Sequence, residues 1–457
     1  MIGFAFKKSS CLMKDFFFMK TASIIKGYLV IIALVTLLVS CQQQQVTAIK
    51  EDELLYNCEQ QLTNVIVHDI NSPPVAARMY TYSNLAFYEA LRPSYPKAIS
   101  FLPILKGFEK ISPDRDAKNI HYPYAAAMAF MNVAETLVFS KDSIRVAKDS
   151  LQIQFDGLAS EVKEQSTEWA NQVSSVILKR AAEDGYKVTR GMPKFSVFKE
   201  RGIWQQTPPD YEEAIEPNWR YIKPLLMDSA SQFKPARPPA YDLNKNSLYY
   251  KELLELYQMS VTLTEEQKQI AKFWDDNPFV SEHRGHFTYA TKKTTPVGHW
   301  MGIIGILGKQ SKLPPIEIAK AYAMASAAVF DGFISTWEEK FTSKTVRPIT
   351  VIRENIASEW NAFLQTPPFP EYTSGHSVIS AAAATVLSSI FGMQTPFRDT
   401  VELKYLGMER SFPSINAAAN EVSISRMYGG IHYRSAVENG QKQGQAIGNY
   451  FIKKLQK

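Results

Sequence analysis

The sequence predicts an all-α protein built of helical bundles, and three observations support this. Apolar residues recur at helical spacing in long segments after residue 50, alternating strand patterns are few and short, and no repeat has a fixed period. The chain has 457 residues, which exceeds one ordinary domain core. Its content of 45% hydrophobic and 21% charged residues is that of a globular protein and excludes wholesale disorder or a collagen-like chain.

Residues 1–41 predict a secretory signal. Lys20 and Lys26 precede an uncharged apolar run, Tyr28 to Val39, which is shorter than the roughly 20 residues that a membrane-spanning helix needs. Leu38-Val39-Ser40-Cys41 resembles a bacterial lipobox, which implies that Cys41 is lipidated and becomes the first mature residue. An ordinary signal peptide and an uncleaved anchor helix are the alternatives. We expect translation to start at Met19.

This segment predicts where the protein works. A lipidated Cys41 would make the protein an exported lipoprotein of the cell envelope, tethered by its lipid anchor on the periplasmic or surface side of a bacterial membrane. The first 40 residues hold five lysines and one aspartate, a net charge of +4, so the rest of the chain carries only +2 of the total of +6. A nearly neutral body argues against nucleic acid as a partner. Three cysteines exclude a disulfide framework and a four-cysteine zinc site.

Two regions are expected: 42–243, an N-terminal helical region that ends in a Pro-rich connection, and 244–457, a C-terminal helical domain. The connection, Tyr186–Leu243, holds eight prolines and two glycines, so we expect it to be long and irregular and to form a boundary or a lid. Helix starts are indicated by proline in a first turn, at Pro73-Pro74 and Pro314-Pro315, and by the acidic residues that follow Thr264. The helical segments predicted from apolar spacing are Leu54–Asp69, Val75–Leu91, Tyr124–Phe139, Leu158–Ala182, Leu248–Met259, Ile316–Trp337, Ile356–Leu364 and Ala436–Leu455.

Three short segments in the last third combine the residues that bind an oxyanion. They are Lys340-x6-Arg347-Pro348, Ser374-Gly375-His376 before an Ala-rich helix, and Ser425-Arg426-x5-His432. Arginine offers two donors to a tetrahedral anion, lysine adds a point charge, and a Ser-Gly helix start presents a hydroxyl and free N–H groups. Two histidines can share acid–base and nucleophile or ligand roles. Each segment alone is weak evidence, but three in this order rarely coincide by chance.

Together these segments resemble the signature of the superfamily that unites type-2 phosphatidic acid phosphatases, bacterial acid phosphatases and vanadium-dependent haloperoxidases. Asp331 to Arg353, Pro367 to Tyr372 and Gly429 to Tyr433 are similar to its haloperoxidase-related bacterial branch in particular. The diagnostic likeness covers roughly residues 330–445. The resemblance implies a haloperoxidase/acid-phosphatase-like C-terminal bundle that carries the site, with an additional N-terminal helical region.

The resemblance also implies a role for each motif residue. Lys340, Arg347 and Arg426 would bind the oxygens of vanadate or phosphate, with Ser374 and the N–H of Gly375 completing the site. His432 would coordinate vanadium or attack phosphorus, and His376 would be the general acid–base.

Two residues depart from the family pattern. Thr373 replaces a proline, and Ala436 replaces an aspartate that would orient the ring of His432. We therefore expect His432 to find another partner for its second ring nitrogen, such as a backbone carbonyl. Loss of the carboxylate should impair a nucleophile more than a metal ligand, which favours vanadate over phosphoryl transfer.

Three functions follow from this reading. The first is an exported haloperoxidase-like enzyme that binds vanadate and oxidises halide with hydrogen peroxide. The second is an acid phosphatase that acts on a phosphate ester through a phosphohistidine and needs no cofactor. The third, motivated by Ala436, is an inactive anion-binding lipoprotein.

The remaining histidines and the tryptophans of this region are weaker candidates. His283, His286 and His299 lack the acidic spacing of a zinc motif and are expected to be structural or loop residues rather than to line the anion cavity. Trp274, Trp300 and Trp337 are expected in the core rather than in a halide pocket.

Overall fold

Helices dominate the computed structural model, which describes residues 51–113, 119–197, 199–278, 280–284, 286–290 and 292–456. Within these ranges the strands form only two antiparallel two-stranded ribbons, so the all-α prediction is confirmed. The elements are α1 Glu51–His68, α2 Pro73–Leu91, α3 Tyr122–Leu137, α4 Lys141–Gln154, α5 Ser160–Glu183, α6 Tyr186–Arg190, α7 Leu248–Val261, α8 Glu265–Phe273, β1 Ser281–Arg284, β2 Phe287–Ala290, α9 Pro296–Gln310, α10 Pro315–Ser343, α11 Pro348–Asn355, α12 Gly375–Phe391, β3 Phe397–Asp399, α13 Leu403–Leu406, β4 Arg410–Phe412, α14 Ile415–Tyr428 and α15 Arg434–Leu455.

Local sequence signals set several helix starts. Thr264 forms a capping box with Gln267 at the start of α8, as its position before two glutamates suggested. Proline occupies the first turn of α2 and of α10, where its missing N–H costs nothing. Ser374 caps α12, so the Ser-Gly-His motif opens a helix as predicted.

Helix α10 lies at the centre of the fold. Its 29 residues are buried on nearly every side, and it packs on α2 of the N-terminal region and on α12 of the C-terminal bundle. A helix with apolar residues all round belongs inside a protein, because no face of it gains from contact with water. One hydrophobic core includes residues from both sides of position 243. The boundary between two helical regions at residue 243 therefore stays a prediction, because the two regions share this core.

The connection 186–243 packs against α10. The carboxylate of Asp331, on α10, accepts hydrogen bonds from the backbone N–H groups of Leu225, Leu226 and Met227 at 2.7 to 2.9 Å. Further along α10, the indole of Trp337 donates to the carbonyl oxygen of Ile215 at 3.2 Å. The connection is largely irregular, as expected, but its backbone groups are held by tertiary partners.

One predicted helix is wrong. Residues 356–364 are not helical, and α11 ends at Asn355. Their backbone groups are used by tertiary contacts, because Arg353 donates to the carbonyl oxygen of Trp360 at 2.8 Å and the N–H of Leu364 donates to that of Gly429 at 3.0 Å. The spacing of apolar residues cannot reveal that backbone groups will form tertiary hydrogen bonds instead of helical ones.

The signal segment and Cys41 lie outside the described residues, so lipidation and export stay predictions. Within the part of the chain that the structure describes, no helix has the length and apolar character needed to span a membrane.

The buried carboxyl of Glu59 on α1 predicts a pH dependence of stability. Burial raises its pKa from 4.5 to about 8, and the Asn84 side chain offsets this only in part. Between pH 4.5 and 8 the folded protein keeps this proton, whereas the unfolded chain loses it. The contribution of protonated Glu59 to the free energy of unfolding is therefore complete below pH 4.5 and is lost as the pH rises through 8. We expect Glu59→Gln to raise the melting temperature at pH 8 and to have little effect at pH 4.5.

Differential scanning calorimetry across this pH range measures the effect. Glu53→Gln, at an exposed position of the same helix, is the matched control and should leave the melting temperature unchanged at every pH. An equal response of the two variants would contradict the prediction.

Candidate active site

The three motifs meet at the ends of four helices. Lys340 lies in the last turn of α10, Arg347 caps α11, and His376 lies in the first turn of α12. Arg426 lies in the last turn of α14, and His432 follows in the turn that leads to α15. Residues predicted from separate segments are therefore brought together at one place in the fold.

The three cations are buried and bind main-chain oxygens. The ammonium of Lys340 donates to the carbonyl oxygens of Pro370 and Glu371 at 2.8 and 2.9 Å. The guanidinium of Arg347 donates to those of Phe369 and Ile431 at 2.8 and 2.9 Å, and that of Arg426 donates to the carbonyl oxygen of Trp274. These bonds fix the direction of each side chain without neutralising its charge.

Unused donor atoms remain in this group. Within the described part of the chain, the Nη2 of Arg347 and the Nε of Arg426 are buried and have no hydrogen-bond partner. Buried polar groups are nearly always hydrogen-bonded, and an unpaired one costs on the order of 1–3 kcal/mol. Two unpaired donors on neighbouring arginines therefore fit a ligand that accepts hydrogen bonds and carries negative charge.

The electrostatics support an anion site. Burial, and then the charge of Arg347, hold the pKa of Lys340 well below its usual value. Burial also lowers the pKa of Arg347 to about 9, although Glu371 opposes the shift. A cation whose charged form is disfavoured gains most when an anion enters beside it.

The ring of His432 is held by a carboxylate. Its Nδ1 lies 2.8 Å from Oε1 of Glu371, which also accepts the N–H of Tyr433 at 3.1 Å. The expected backbone carbonyl is therefore not the partner. Glu371 supplies the carboxylate that Ala436 cannot, from the loop between α11 and α12.

The same contacts set the tautomer of His432. The Nη1 of Arg347 lies 3.3 Å from the Nε2 of the ring and can only donate, so Nε2 must accept. Nδ1 then carries the proton and donates it to Glu371. Burial and the nearby cations keep the pKa of His432 well below its usual value, so the ring is neutral at physiological pH. Its Nε2 lone pair is suited to bind an electrophilic centre.

Ser374 and Gly375 begin helix α12, and α15 packs closely against this helix start. A Cβ on Gly444 would lie 2.1 Å from the carbonyl oxygen of Val378, and one on Gly440 would lie 3.1 Å from that of Ser374. Glycine at these positions lets the two backbones touch. The Oγ of Ser374 accepts from the hydroxyl of Ser377 at 2.9 Å, which leaves its own proton free to donate.

His376 faces the site as a neutral ring. Burial, and then the charge of Arg426, hold its pKa well below the usual value, against a hydrogen bond with the backbone of Asp275. Its Nε2 is buried without a hydrogen-bond partner among the described residues. A neutral ring with a free nitrogen beside buried cations can exchange a proton with a bound ligand.

A family model described as the VCPO second helical-bundle domain matches residues 320–457, the part that holds all three motifs. The crystal structure of the first bacterial vanadium-dependent iodoperoxidase is 42% identical in sequence, with a TM-score of 0.84 over 88% of this chain and 96% of that one. The chain belongs to the vanadium-dependent haloperoxidase family.

Two further solved structures have the same fold as this chain. Holo-type and apo-type bacterial vanadium-dependent chloroperoxidases are each 18% identical, with TM-scores of 0.64. The matches cover 85% and 84% of this chain, and 95% and 93% of the other two. No curated protein sequence matches the chain.

The histidines and tryptophans that the sequence marked as weaker candidates lie outside the group of motif residues. Trp274, Trp300 and Trp337 belong to the hydrophobic core, as expected. His286 is exposed, and His283 lies on β1 with its side chain outside the described part of the chain. His299 is fully buried between carboxylates, in contact with the segment that binds Arg426 and His376.

Sequence reasoning missed Glu371, although a signal was present. It is the sole acidic residue between Glu359 and Asp399, and it lies three positions before Ser374. A lone acid in a Pro-rich segment beside a cationic motif is a reasonable candidate for a partner of that motif. Glu371 contacts His432 and Tyr433 only because the chain folds back on itself, and the spacing of residues along the sequence does not show this.

The unpaired donors predict that both arginines bind an oxyanion. We expect Arg347→Ala and Arg426→Ala each to weaken binding of inorganic phosphate by on the order of 1.5–3 kcal/mol, which is roughly 10-fold to 160-fold, because each removes a buried charged contact. Isothermal titration calorimetry measures this. Arg145→Ala, a surface arginine on α4 that is 52% exposed, is the control and should bind as the wild type does. Unchanged affinity in both site variants would refute the assignment.

Proposed function

We propose that the chain is a vanadium-dependent iodoperoxidase that binds vanadate in the cationic site and oxidises iodide with hydrogen peroxide. The observation that carries the proposal is the pair of unpaired buried donors on Arg347 and Arg426, beside the unprotonated Nε2 of His432, which lies 3.3 Å from Nη1 of Arg347. The 42% identity to a bacterial iodoperoxidase over most of both chains supports iodide as the halide.

The donor set fits vanadate. Lys340, Arg347 and Arg426 would bind its oxygens, with the hydroxyl of Ser374 and the N–H of Gly375 as further donors, and His432 would be the ligand of the metal through Nε2. Bound vanadate would supply the Lewis acidity that activates hydrogen peroxide toward the halide. Buried, preorganised donors stabilise developing negative charge at little cost of reorganisation.

The two histidines have different tasks in this proposal. His432 is fixed by Glu371 and Arg347 in the tautomer that leaves Nε2 unprotonated, so it can act as a ligand without first losing a proton. His376 is neutral before the ligand enters, and its free Nε2 can accept a proton from the bound substrate and return it.

A second candidate is hydrolysis of a phosphate monoester at the same site. The expectation that the missing aspartate disfavours a nucleophilic histidine loses its ground, because Glu371 orients His432. The same Nε2 lone pair could attack phosphorus. An inactive anion-binding protein is disfavoured for the same reason, since its only motive was the alanine at 436.

Activity with the two substrates separates the candidates. The purified protein with vanadate, hydrogen peroxide and iodide should form triiodide, followed by its absorbance, and should turn over p-nitrophenyl phosphate far more slowly. Rapid phosphatase activity without triiodide would favour the second candidate.

His376→Ala should leave vanadate affinity nearly unchanged and lower turnover by about 10²–10⁴-fold, because general acid–base groups contribute about that much. His286→Ala, on an exposed histidine, is the matched control and should be silent. A variant that loses affinity and turnover equally would reassign His376 as a binding residue.

Glu371→Gln tests the orienting carboxylate. Gln replaces one of the two carboxyl oxygens by an NH₂ group, which cannot accept the Nδ1 proton of His432, so vanadate affinity and turnover should fall by about 10-fold to 100-fold. Glu252→Gln is a matched control, because Glu252 is also a buried carboxylate and bonds the neighbouring Ser435. If both variants behave alike, the effect of Glu371 is not specific to His432.

A further inference from the structure

A second buried histidine lies beside the active site. His299, on α9, is fully buried, and its Nδ1 lies 3.0 and 3.1 Å from the two carboxylate oxygens of Asp276. Its Nε2 lies 3.0 Å from Oδ2 of Asp399. A ring nitrogen that faces an ionised carboxylate must donate, so a ring held at both nitrogens by two such groups is an imidazolium.

The surroundings of His299 favour this charged form. Its ring stacks on the indole of Trp274, with centroids 4.6 Å apart and planes at 26°, an arrangement that attracts a cation to the π face. Burial lowers its pKa, but Asp276 and Asp399 outweigh burial and raise the pKa well above the usual value. The ring therefore joins three buried groups: two carboxylates and one indole.

These groups belong to the segment that holds the active site. The carbonyl oxygen of Trp274 accepts a hydrogen bond from Arg426, and the backbone of Asp275 bonds the ring of His376. The carboxylates of Asp275 and Asp276 also favour the charged form of Arg426. Residues 274–276 therefore set the positions of one anion-binding cation and of the acid–base histidine.

Other contacts hold this segment on its remaining sides. The indole N–H of Trp274 donates to Glu421 at 2.9 Å, and Lys293 forms a buried ion pair with Asp275. Asp276 is the member of the segment that His299 binds. The link to Asp399 then ties residues 274–276, through one ring, to strand β3.

A metal ion is the alternative occupant of this cluster. One ligand atom each from Asp276, His299 and Glu402 lie within 4.8 Å of one another. A metal would need the lone pair of one ring nitrogen. Both nitrogens lie at hydrogen-bond distance from carboxylate oxygens, and burial raises the pKa of Glu402 to about 8, so this carboxyl is protonated at neutral pH. The geometry fits an imidazolium better than a metal ligand.

We propose that His299 is a positioning residue of the active site: donating from both ring nitrogens, it fixes residues 274–276, whose carbonyl groups hold Arg426 and His376. The inference rests on the proposed function only in that the cationic site binds an oxyanion. His299 itself touches neither the anion nor the reacting atoms.

The test is His299→Gln in the full protein. Gln can satisfy one carboxylate but not both, so we expect the affinity for vanadate and for inorganic phosphate to fall about 10-fold, the usual effect of removing a group that orients a ligand-binding residue. Turnover of iodide at saturating vanadate should fall as well, because His376 loses its fixed position. Calorimetric binding is measured well below the melting temperature of each variant.

Trp169→Phe separates this effect from a loss of stability. It removes a buried indole hydrogen bond to the carbonyl oxygen of Ala90 in the N-terminal region, so it should lower the melting temperature and leave oxyanion affinity unchanged. Should His299→Gln not fold, Asp399→Asn replaces it, because Asp399 acts on the segment through the ring of His299; we expect the same direction and a smaller loss.

Nitrogen-15 NMR of the histidine rings gives a readout that does not depend on activity. We expect two protonated ring nitrogens on His299 at neutral pH, with signals that vanish in His299→Gln. A single protonated nitrogen, a stoichiometric divalent cation lost from His299→Gln, or wild-type affinity in a folded His299→Gln would each overturn the inference. Failure of the wild-type protein to bind either anion would refute the proposed function, while the NMR signals would still decide the protonation of His299.

Discussion

Three buried cations that hydrogen-bond main-chain oxygens are the constraint on which the rest of the site depends. Removing a charged group from water costs several kcal/mol, and neutral carbonyl oxygens repay only part of that cost. Lys340, Arg347 and Arg426 lie in a place that disfavours their charged forms, as the lowered pKa values of all three indicate. A compact anion with several oxygens would relieve the cost for all three at once.

The fold provides this site by holding helix ends rather than by building a pocket of loops. Helix α10 is anchored along its length, by Asp331 to the connection and by its contacts with α2 and α12, and it delivers Lys340 at its last turn. Glycines on α15 let its backbone pack directly against the first turns of α12, the helix that begins with Ser374 and Gly375. The long N-terminal region thus contributes to the site by fixing α10, although it carries none of the motif residues.

The parts of the site that could be predicted from sequence are those encoded within short segments. Lys340, Arg347 and Ser374 were found because their spacing relative to prolines and helix starts is local. Glu371 and His299 were not assigned their partners, because a carboxylate 61 residues from His432 and one 100 residues from His299 become neighbours only through tertiary packing. The end of the helix expected at 356–364 fails for the same reason, since the N–H of Leu364 donates to the distant carbonyl oxygen of Gly429.

The all-α class and most helices were predictable for a different reason. Helices with one buried face, such as α15, repeat their buried residues three and four positions apart, a period that no strand shares, so the sequence pattern alone indicates a helix. What the pattern cannot contain is which helix ends meet. The resemblance to a known family supplied that information for the motif residues alone.

A crystal structure of the protein soaked in orthovanadate tests the central claim most directly. The account predicts one vanadate with a bond from Nε2 of His432 to vanadium and with its oxygens in contact with Nη2 of Arg347 and Nε of Arg426. Vanadate bound elsewhere, or a site in which these two arginine atoms are already occupied by other protein groups, would contradict it.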